Sequence, residues 1–164
     1  MTVFNLQTII KAPVEVCFDL SRSVELHMIS TVHTNERAVA GRTSGLCTTG
    51  DFITWRAKHF GIYQQLTVQI TECLYPTLFK DQMISGAFKS FTHEHHFKQV
   101  GDKTIMDDVF EYEVSYGLIG KVFDRVILRN YMQKLLPKRN EAIQQFAESD
   151  KWKQLLLQQD PTNP

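Results

Sequence analysis

Residues 91–100 read FTHEHHFKQV and bring His93, Glu94, His95 and His96 together in succession. Imidazole and carboxylate groups can bind metal ions, transfer protons or hold the polar end of a ligand. Because side chains alternate between the two faces of a strand, we expect His93 and His95 on one face and Glu94 and His96 on the other. The chemistry that is possible depends on which face is buried.

The segment GDKTIMDDVFEY that follows indicates a β-hairpin whose two-residue turn is Gly101-Asp102. This turn sets the register of the two strands. The facing pairs are then Phe97 and Met106, His95 and Asp108, His93 and Phe110, and Phe91 and Tyr112. These side chains share the more apolar face, which we expect to be buried, whereas Glu94 and His96 are expected to be solvated.

A buried carboxylate at Asp108 is costly unless it is paired, and His95 directly opposite is its nearest expected partner. The pair can carry out acid–base catalysis, with Asp108 orienting the His95 imidazole. It can also anchor the polar end of an apolar ligand, or it can be purely structural. A metal ion held by His93, His95 and Asp108 is the fourth interpretation. Since alternate residues of a strand lie about 6.6 Å apart, we assign no metal ligand and predict no cofactor.

Three further side chains are predicted to point inward. Trp55 shares a strand face with Ile53, and Asp81 lies on a face between Phe79 and Met83. A simple two-residue turn at Gly86-Ala87 would not keep that face on the inside, so a bulge or a longer connection is predicted near residues 85–87. Arg139 lies on the apolar stripe of a C-terminal helix, where it can reach Asp81 or a ligand carboxylate, or lie along the surface with its head in water.

The elements that position these residues follow a simple order. One strand precedes two short helices, the second of them capped by Ser21 or Ser23. A strand and a loop follow, then a run of antiparallel strands from Asp51, then helical spacing from Leu118 with a kink or break predicted at Pro137. The predicted apolar stripe of that helix is Ile119, Val122, Phe123, Val126, Met132, Leu135, Arg139, Ile143 and Phe146. This order predicts an α+β fold, a curved antiparallel sheet around a long C-terminal helix.

Length and charge narrow the possible functions. The 164 residues suit one domain, predicted over 1–150, with 151–164 as a partly frayed C-terminal extension. Eighteen basic and eighteen acidic residues leave no broad positive surface for nucleic acid. Three separated cysteines without a CxxC motif favour free thiols over disulfides or a zinc cluster. Neither a signal peptide nor a membrane span is indicated, so we expect a cytoplasmic protein.

Several stretches together resemble the SRPBCC, or START-like helix-grip, superfamily, and within it the polyketide cyclase/dehydrase-like branch of small bacterial proteins. They are HEHHF inside FKSFTHEHHF, GDKTIMDDVFEY, YGLIGKVFD, LPKR and TWRAKHFGIYQQLTVQITE. The resemblance implies a bent sheet around the last helix with a deep cavity between them. His93, His95, Phe97, Asp108, Tyr112 and Arg139 match recurring positions of the superfamily.

The resemblance, together with the inward-facing residues, leads to a functional expectation. The cavity is expected to bind a small apolar molecule such as a lipid or polyketide. Its predicted lining is Trp55, Phe91, Phe97, Met106, Phe110 and Tyr112, with His93, His95, Asp108, Asp81 and Arg139 as polar anchors. The alternative is a cyclase or dehydratase in which His95 moves a proton and Asp108 holds its tautomer. A third possibility is a partner-binding protein whose cavity is vestigial.

Overall fold

The computed structural model describes residues 1–115 and 117–157. Seven strands form one antiparallel sheet in the spatial order β1-β7-β6-β5-β4-β3-β2. The first strand pairs with the last, and the others follow one another as hairpins. The strands are β1 Thr2–Ile10, β2 Arg37–Gly41, β3 Phe52–His59, β4 Ile62–Leu74, β5 Leu78–Ser85, β6 Ser90–Val100 and β7 Lys103–Glu113. The α+β prediction of a curved antiparallel sheet with a long C-terminal helix is confirmed.

Two helices follow the first strand along the chain, and the other helices follow the last strand. Helices α1 Val14–Ser21 and α2 Val24–Ser30 follow β1, and a 3₁₀ turn, Val32–Thr34, leads into β2. After β7 come α3 Gly117–Phe123, a π-helical turn Asp124–Leu128, α4 Arg129–Ala147 and α5 Lys151–Leu157. Of the two predicted caps of α2, Ser23 is the one observed, since its hydroxyl accepts a hydrogen bond from the Leu26 amide.

The predicted hairpin register of β6 and β7 is confirmed. His95 faces Asp108 and His93 faces Phe110, around a turn in which Gly101 has φ +60°. Strand β5 pairs with β6 so that Asp81 faces His93, and four residues, 86–89, connect these strands. The longer connection predicted there is confirmed. It keeps Phe79, Asp81 and His93 on the concave side of the sheet.

Helices α1 and α4 cover part of that concave face. Phe18 of α1 makes edge-on ring contacts with Phe79 and Phe97, and Met106 and Ile143 complete the packing at 0% and 1% exposure. We call this filled part of the molecule the closed region. Its core is dense because apolar side chains from the sheet and from two helices meet over the same strands.

The apolar stripe predicted for the helix after β7 is wrong over its first part. Val122 and Val126 are 63% and 61% exposed, whereas Asp124 and Leu128 are buried. A π-helical turn accommodates an extra residue and therefore rotates the helix face that meets the sheet. Asp124 is held there by hydrogen bonds from the Tyr112 hydroxyl and, at 3.0 Å, from the Thr2 hydroxyl.

Helix α4 runs through Pro137 without a break, so the predicted split does not occur. Its buried residues are Met132, Leu136, Asn140, Ile143 and Ala147. Residues 151–157 of the predicted extension form α5, whose Trp152, Leu155 and Leu156 pack against the core. The remainder of that extension, 158–164, lies outside the described residues, as does the side chain of Ile119. Among the described residues, no helix has the length and hydropathy needed to cross a bilayer.

Candidate functional site

A cavity of about 450 Å³ lies between the sheet and the helices, beside the closed region. Strands β3 to β7 supply one wall, and α3, the π-helical turn and α4 supply the other. We call this part of the molecule the cavity region. Most of its lining side chains are aromatic or aliphatic: Trp55, Phe60, Leu66, Val68, Phe88, Phe91, Phe110, Val114, Phe123, Leu128, Tyr131, Met132, Leu135 and Leu136.

The rim of the cavity joins the β3–β4 turn to the helical wall. Phe60 lies in that turn at φ +52°, a conformation uncommon for a bulky residue. Its ring contacts those of Phe123 and Tyr131, with centroids 6.0 and 4.9 Å away. His59 Nδ1 lies 2.6 Å from the Tyr131 hydroxyl, which adds a hydrogen bond across the same boundary. These contacts connect sheet and helix where the cavity meets the surface.

Polar groups are concentrated on the inner wall, next to the closed region. Asp81 and His93 face one another across β5 and β6, and both line the cavity. Arg139 of α4 also lines it, and its Nη2 donates a hydrogen bond to the Ser21 carbonyl at 3.1 Å. Within the described residues, the Asp81 carboxylate takes part in no hydrogen bond or ion pair.

Burial determines the charge of these groups. It raises the pKa of Asp81, although His93 and Arg139 act in the opposite direction. Burial also lowers the pKa of His93 to about 4, with the neighbouring His95 adding to the shift. His93 is therefore neutral near pH 7, and the inner wall can both donate and accept hydrogen bonds.

A second polar group, behind the wall, is centred on Asp108. His95 Nδ1 contacts Asp108 Oδ1, and the Asn140 amide donates to Asp108 Oδ2. Asn140 also donates to the Thr8 hydroxyl at 3.1 Å. Burial opposes the charge of Asp108, yet His95 and His93 outweigh it and keep the pKa of Asp108 below its usual value. Burial lowers the pKa of His95, so the imidazole that contacts Asp108 is neutral near pH 7.

A third polar pair lies on the far side of the cavity. His27 of α2 stacks on Trp55 with ring centroids 4.0 Å apart, and its Nε2 lies 3.4 Å from Glu36 Oε2. Burial opposes the charge of Glu36, but His27 and Thr31 outweigh burial and lower the pKa of this carboxyl group. Glu36 is thus a partnered carboxylate, in contrast to Asp81.

The structure brings some of the predicted site residues to the cavity wall and leaves others behind it. Trp55, Asp81, Phe91, His93, Phe110 and Arg139 line the cavity. Phe97 and Met106 lie in the closed region, and Tyr112 is buried against Asp124. His95 and Asp108 are 0% and 1% exposed and are absent from the cavity lining, so a molecule in the cavity would not touch them.

The predicted site omits the polar contributions of His27, Glu36 and Asn140. His27 was not singled out, although a histidine on the apolar side of a short helix is a signal for a buried polar contact. The predicted apolar stripe runs through Arg139 and therefore omits Asn140. The spacing Met132, Leu136, Asn140, Ile143 is equally helical and would have placed the amide on the buried side.

Comparisons with known proteins bear on the fold. No protein-family model matches the sequence, and no curated protein sequence does. Protein TTHA0849 from Thermus thermophilus superposes with a TM-score of 0.71 at 15% identity, covering 88% of this chain and 95% of that one. A START superfamily protein from Mycobacterium smegmatis gives a TM-score of 0.65 at 11% identity, over 87% and 97%. The chain has the START-like helix-grip fold.

A plant protein shares this helix grip. Major latex-like protein 151 from Panax ginseng superposes with a TM-score of 0.64 at 16% identity, covering 90% of this chain and 98% of that one. Identities this low establish the architecture alone. The more specific resemblance to the polyketide cyclase/dehydrase-like branch stays a prediction.

Proposed function

We propose that this START-like helix-grip protein binds a small, largely apolar molecule in the cavity between the sheet and α4. The observation that carries the proposal is the cavity itself, about 450 Å³ with mostly aromatic and aliphatic walls. Cavities of about 300–1,000 Å³ with a few convergent polar groups are typical of small-molecule sites. The helix-grip fold, which places a hollow between sheet and helix, supports the same interpretation.

The polar groups of the inner wall give the ligand an orientation. Asp81, His93 and Arg139 lie together at one end, so the polar end of a ligand would point toward them and its apolar part toward Phe91, Phe110 and the rim. Arg139 would favour a carboxylate, sulfonate or enolate oxygen, because its guanidinium group presents several donors. Burying the apolar part contributes about 25 cal/mol per Å².

Catalysis by the His95–Asp108 pair receives less support. Both residues are sealed behind the wall, and Asn140 already occupies the second oxygen of Asp108. A general acid or base must come within hydrogen-bonding reach of the proton that it transfers. We therefore place the pair outside the proposed ligand contacts and assign it a supporting role.

The proposal can be tested with an apolar anionic dye, 1-anilinonaphthalene-8-sulfonate. We expect its fluorescence to rise on saturable binding to one site per chain. Leu135→Trp replaces an isobutyl group in the cavity wall by the larger indole ring. It should weaken dye binding at least about tenfold, because the added volume takes the space of the ligand. Leu157→Trp is the matched control, since Leu157 is 56% exposed on α5, away from the cavity.

The two variants separate cavity binding from surface binding. Dye binding that is unchanged in Leu135→Trp, or equally reduced in Leu157→Trp, would contradict the proposal. Thermal unfolding of both variants checks that the chain remains folded. Native mass spectrometry of the freshly purified protein then supplies the mass of any apolar molecule that is retained.

A further inference from the structure

Three potential metal ligands converge at the inner wall of the cavity, where Asp81 and His93 line the cavity and His95 lies behind them. One donor atom each from Asp81, His93 and His95 lies within 4.8 Å of the other two, and all three residues are buried. Spacing along a single strand disfavours a metal site, because alternate residues lie about 6.6 Å apart. In the folded protein the rings of His93 and His95 lean together, with centroids 4.1 Å apart, and Asp81 joins them from the neighbouring strand.

These donors lack the partners that buried polar atoms normally have. The Nε2 atoms of His93 and His95 are buried without a hydrogen-bond partner among the described residues, and the Asp108 carboxylate approaches His93 Nε2 only to 3.7 Å. The Asp81 carboxylate likewise forms no hydrogen bond or ion pair in the described part of the chain. Leaving a buried polar group unpaired costs free energy, and two such nitrogens beside a carboxylate that lines the cavity are unusual. A single cation would satisfy all of them.

The groups behind the donors match the outer shell of a metal site. A histidine that binds a metal typically donates its other ring N–H to a carboxylate, which fixes the tautomer and directs the free nitrogen at the ion. His95 has this arrangement: Nδ1 contacts Asp108, which leaves the Nε2 lone pair free. Asn140 holds the second oxygen of Asp108, so the orientation of His95 is fixed from α4.

The charges around the three donors and their access to the cavity also suit a divalent metal ion. Asp81 and Asp108 can together contribute two negative charges, which a divalent cation would balance, while the Arg139 head group is engaged by the Ser21 carbonyl. Two imidazoles and one carboxylate form a ligand set typical of zinc sites that keep an open position. Because Asp81 and His93 also line the large cavity, that open position would face it.

We propose that Asp81, His93 and His95 bind a divalent first-row transition-metal ion, of which Zn²⁺ is the best match, with an open coordination position facing the cavity. Tetrahedral zinc ligands lie about 3.5 Å apart, so small side-chain rotations would bring the three donors into contact with the ion. The site goes beyond the proposed function, since a metal can bind here whether or not an apolar molecule enters.

The test uses metal alone. Chelator-treated protein is titrated with Co²⁺, followed by its visible absorption, and the bound Co²⁺ is then displaced with Zn²⁺. We expect one ion per chain and the intense visible bands of a four- or five-coordinate site. Asp81→Asn is the decisive variant, because Asp81 has no structural partner among the described residues whose loss would unfold the chain. It should weaken metal binding about 100-fold.

His96→Gln is the matched control. His96 lies on the outer face of β6, the strand that carries His93 and His95. Its Nε2 lies 2.9 Å from Glu94 Oε2, and this exposed pair could also attract a metal. We expect wild-type affinity for this variant. Absence of one-to-one binding by the wild-type protein, unchanged affinity in Asp81→Asn, or loss of affinity in His96→Gln would each overturn the proposal. Zn²⁺ should also raise the thermal unfolding temperature of the wild-type protein but not that of Asp81→Asn.

Discussion

Two buried aspartates on the concave face of the sheet have opposite surroundings. Asp108, next to the closed region, contacts His95 and accepts a hydrogen bond from Asn140, and its pKa is lowered. Asp81, in the cavity region, is hydrogen-bonded to nothing in the described part of the chain, and burial raises its pKa. The two residues lie on strands separated only by β6, so their difference arises from what covers each strand.

The concave face of the sheet is covered by a packed core over some strands and by a cavity over others, and the two aspartates differ accordingly. In the closed region, α1 and the second half of α4 bring apolar side chains and one amide onto the strands, so Asp108 there has the Asn140 amide on one oxygen and His95 against the other. In the cavity region, the helical wall stands away from the sheet and leaves the polar groups of Asp81 and His93 open. We infer that partnered buried groups stabilise the fold here, and that unpartnered ones are kept for a ligand.

The strongest test of this comparison replaces each aspartate by asparagine. Asp108→Asn should lower the free energy of unfolding by about 3 kcal/mol or more, because it removes the charged partner of a buried group and leaves His95 poorly paired. Asp81→Asn should change it by less than about 1 kcal/mol, since no partner is lost. Urea denaturation in the presence of a chelator measures both values without a contribution from bound metal.

The pair of variants is its own control, because the chemical change is identical. Equal losses in the two variants would contradict the comparison, and a large loss in Asp81→Asn alone would reverse it. Retained dye binding in Asp108→Asn at low temperature would further show that Asp108 acts on stability and not on the ligand.

Two adjacent residues of α4 provide the next test. Asn140→Ala should lower the free energy of unfolding by about 1–3 kcal/mol, because one oxygen of buried Asp108 is left unpaired. Arg139→Ala should cost less than about 1 kcal/mol, because Arg139 makes a single, partly buried hydrogen bond to a backbone carbonyl. Arg139→Ala should instead weaken binding of the anionic dye. Equal effects of the two variants on stability and on dye binding would contradict the assignment of Asn140 to the fold and of Arg139 to the ligand.

The sequence was sufficient for the hairpin that carries the site. The turn at Gly101-Asp102 and strict alternation predicted that His95 faces Asp108 and that both point inward, and the structure confirms this. Alternation also placed Trp55 and Asp81 on buried faces. These features are local, because a turn and a two-residue period determine them.

The boundary between core and cavity could not be derived in the same way. Phe97 and Phe91 have the same pattern along β6, yet Phe97 is packed under Phe18 and Phe91 lines the cavity. Which of them is covered depends on where α1 and α4 lie, and the π-helical turn rotates the helix in a way that no apolar period indicates. The position of Asp81 beside His93 and His95 likewise depends on the length of the 86–89 connection.

Glu36 provides a further test, within the cavity region itself. Its lowered pKa means that its ionised form stabilises the folded state above pH 4.5, the usual value, and that this contribution is lost as the pH falls through the lower folded-state pKa. Glu36→Gln should therefore cost about 1–2 kcal/mol near pH 7 and progressively less in acid. Urea denaturation between pH 7 and pH 3 measures the difference. A constant difference across that range would show that Glu36 acts through packing and not through charge.

Thiol labelling compares the local opening of the closed region with that of the β2–β3 loop, and its expected effects are the smallest. Burial raises the pKa of Cys17, in α1, to about 11 and that of Cys47 to about 12, so neither thiol should react until its surroundings open. Cys73 is half-buried and should react first with a disulfide reagent at pH 8. Cys47 lies in the loop between β2 and β3, whereas Cys17 lies under the closed region, so we expect Cys47 to be second and Cys17 last. Single-cysteine variants followed by mass spectrometry give the three rates, and faster labelling of Cys17 than of Cys47 would mean that the closed region opens more readily than the β2–β3 loop.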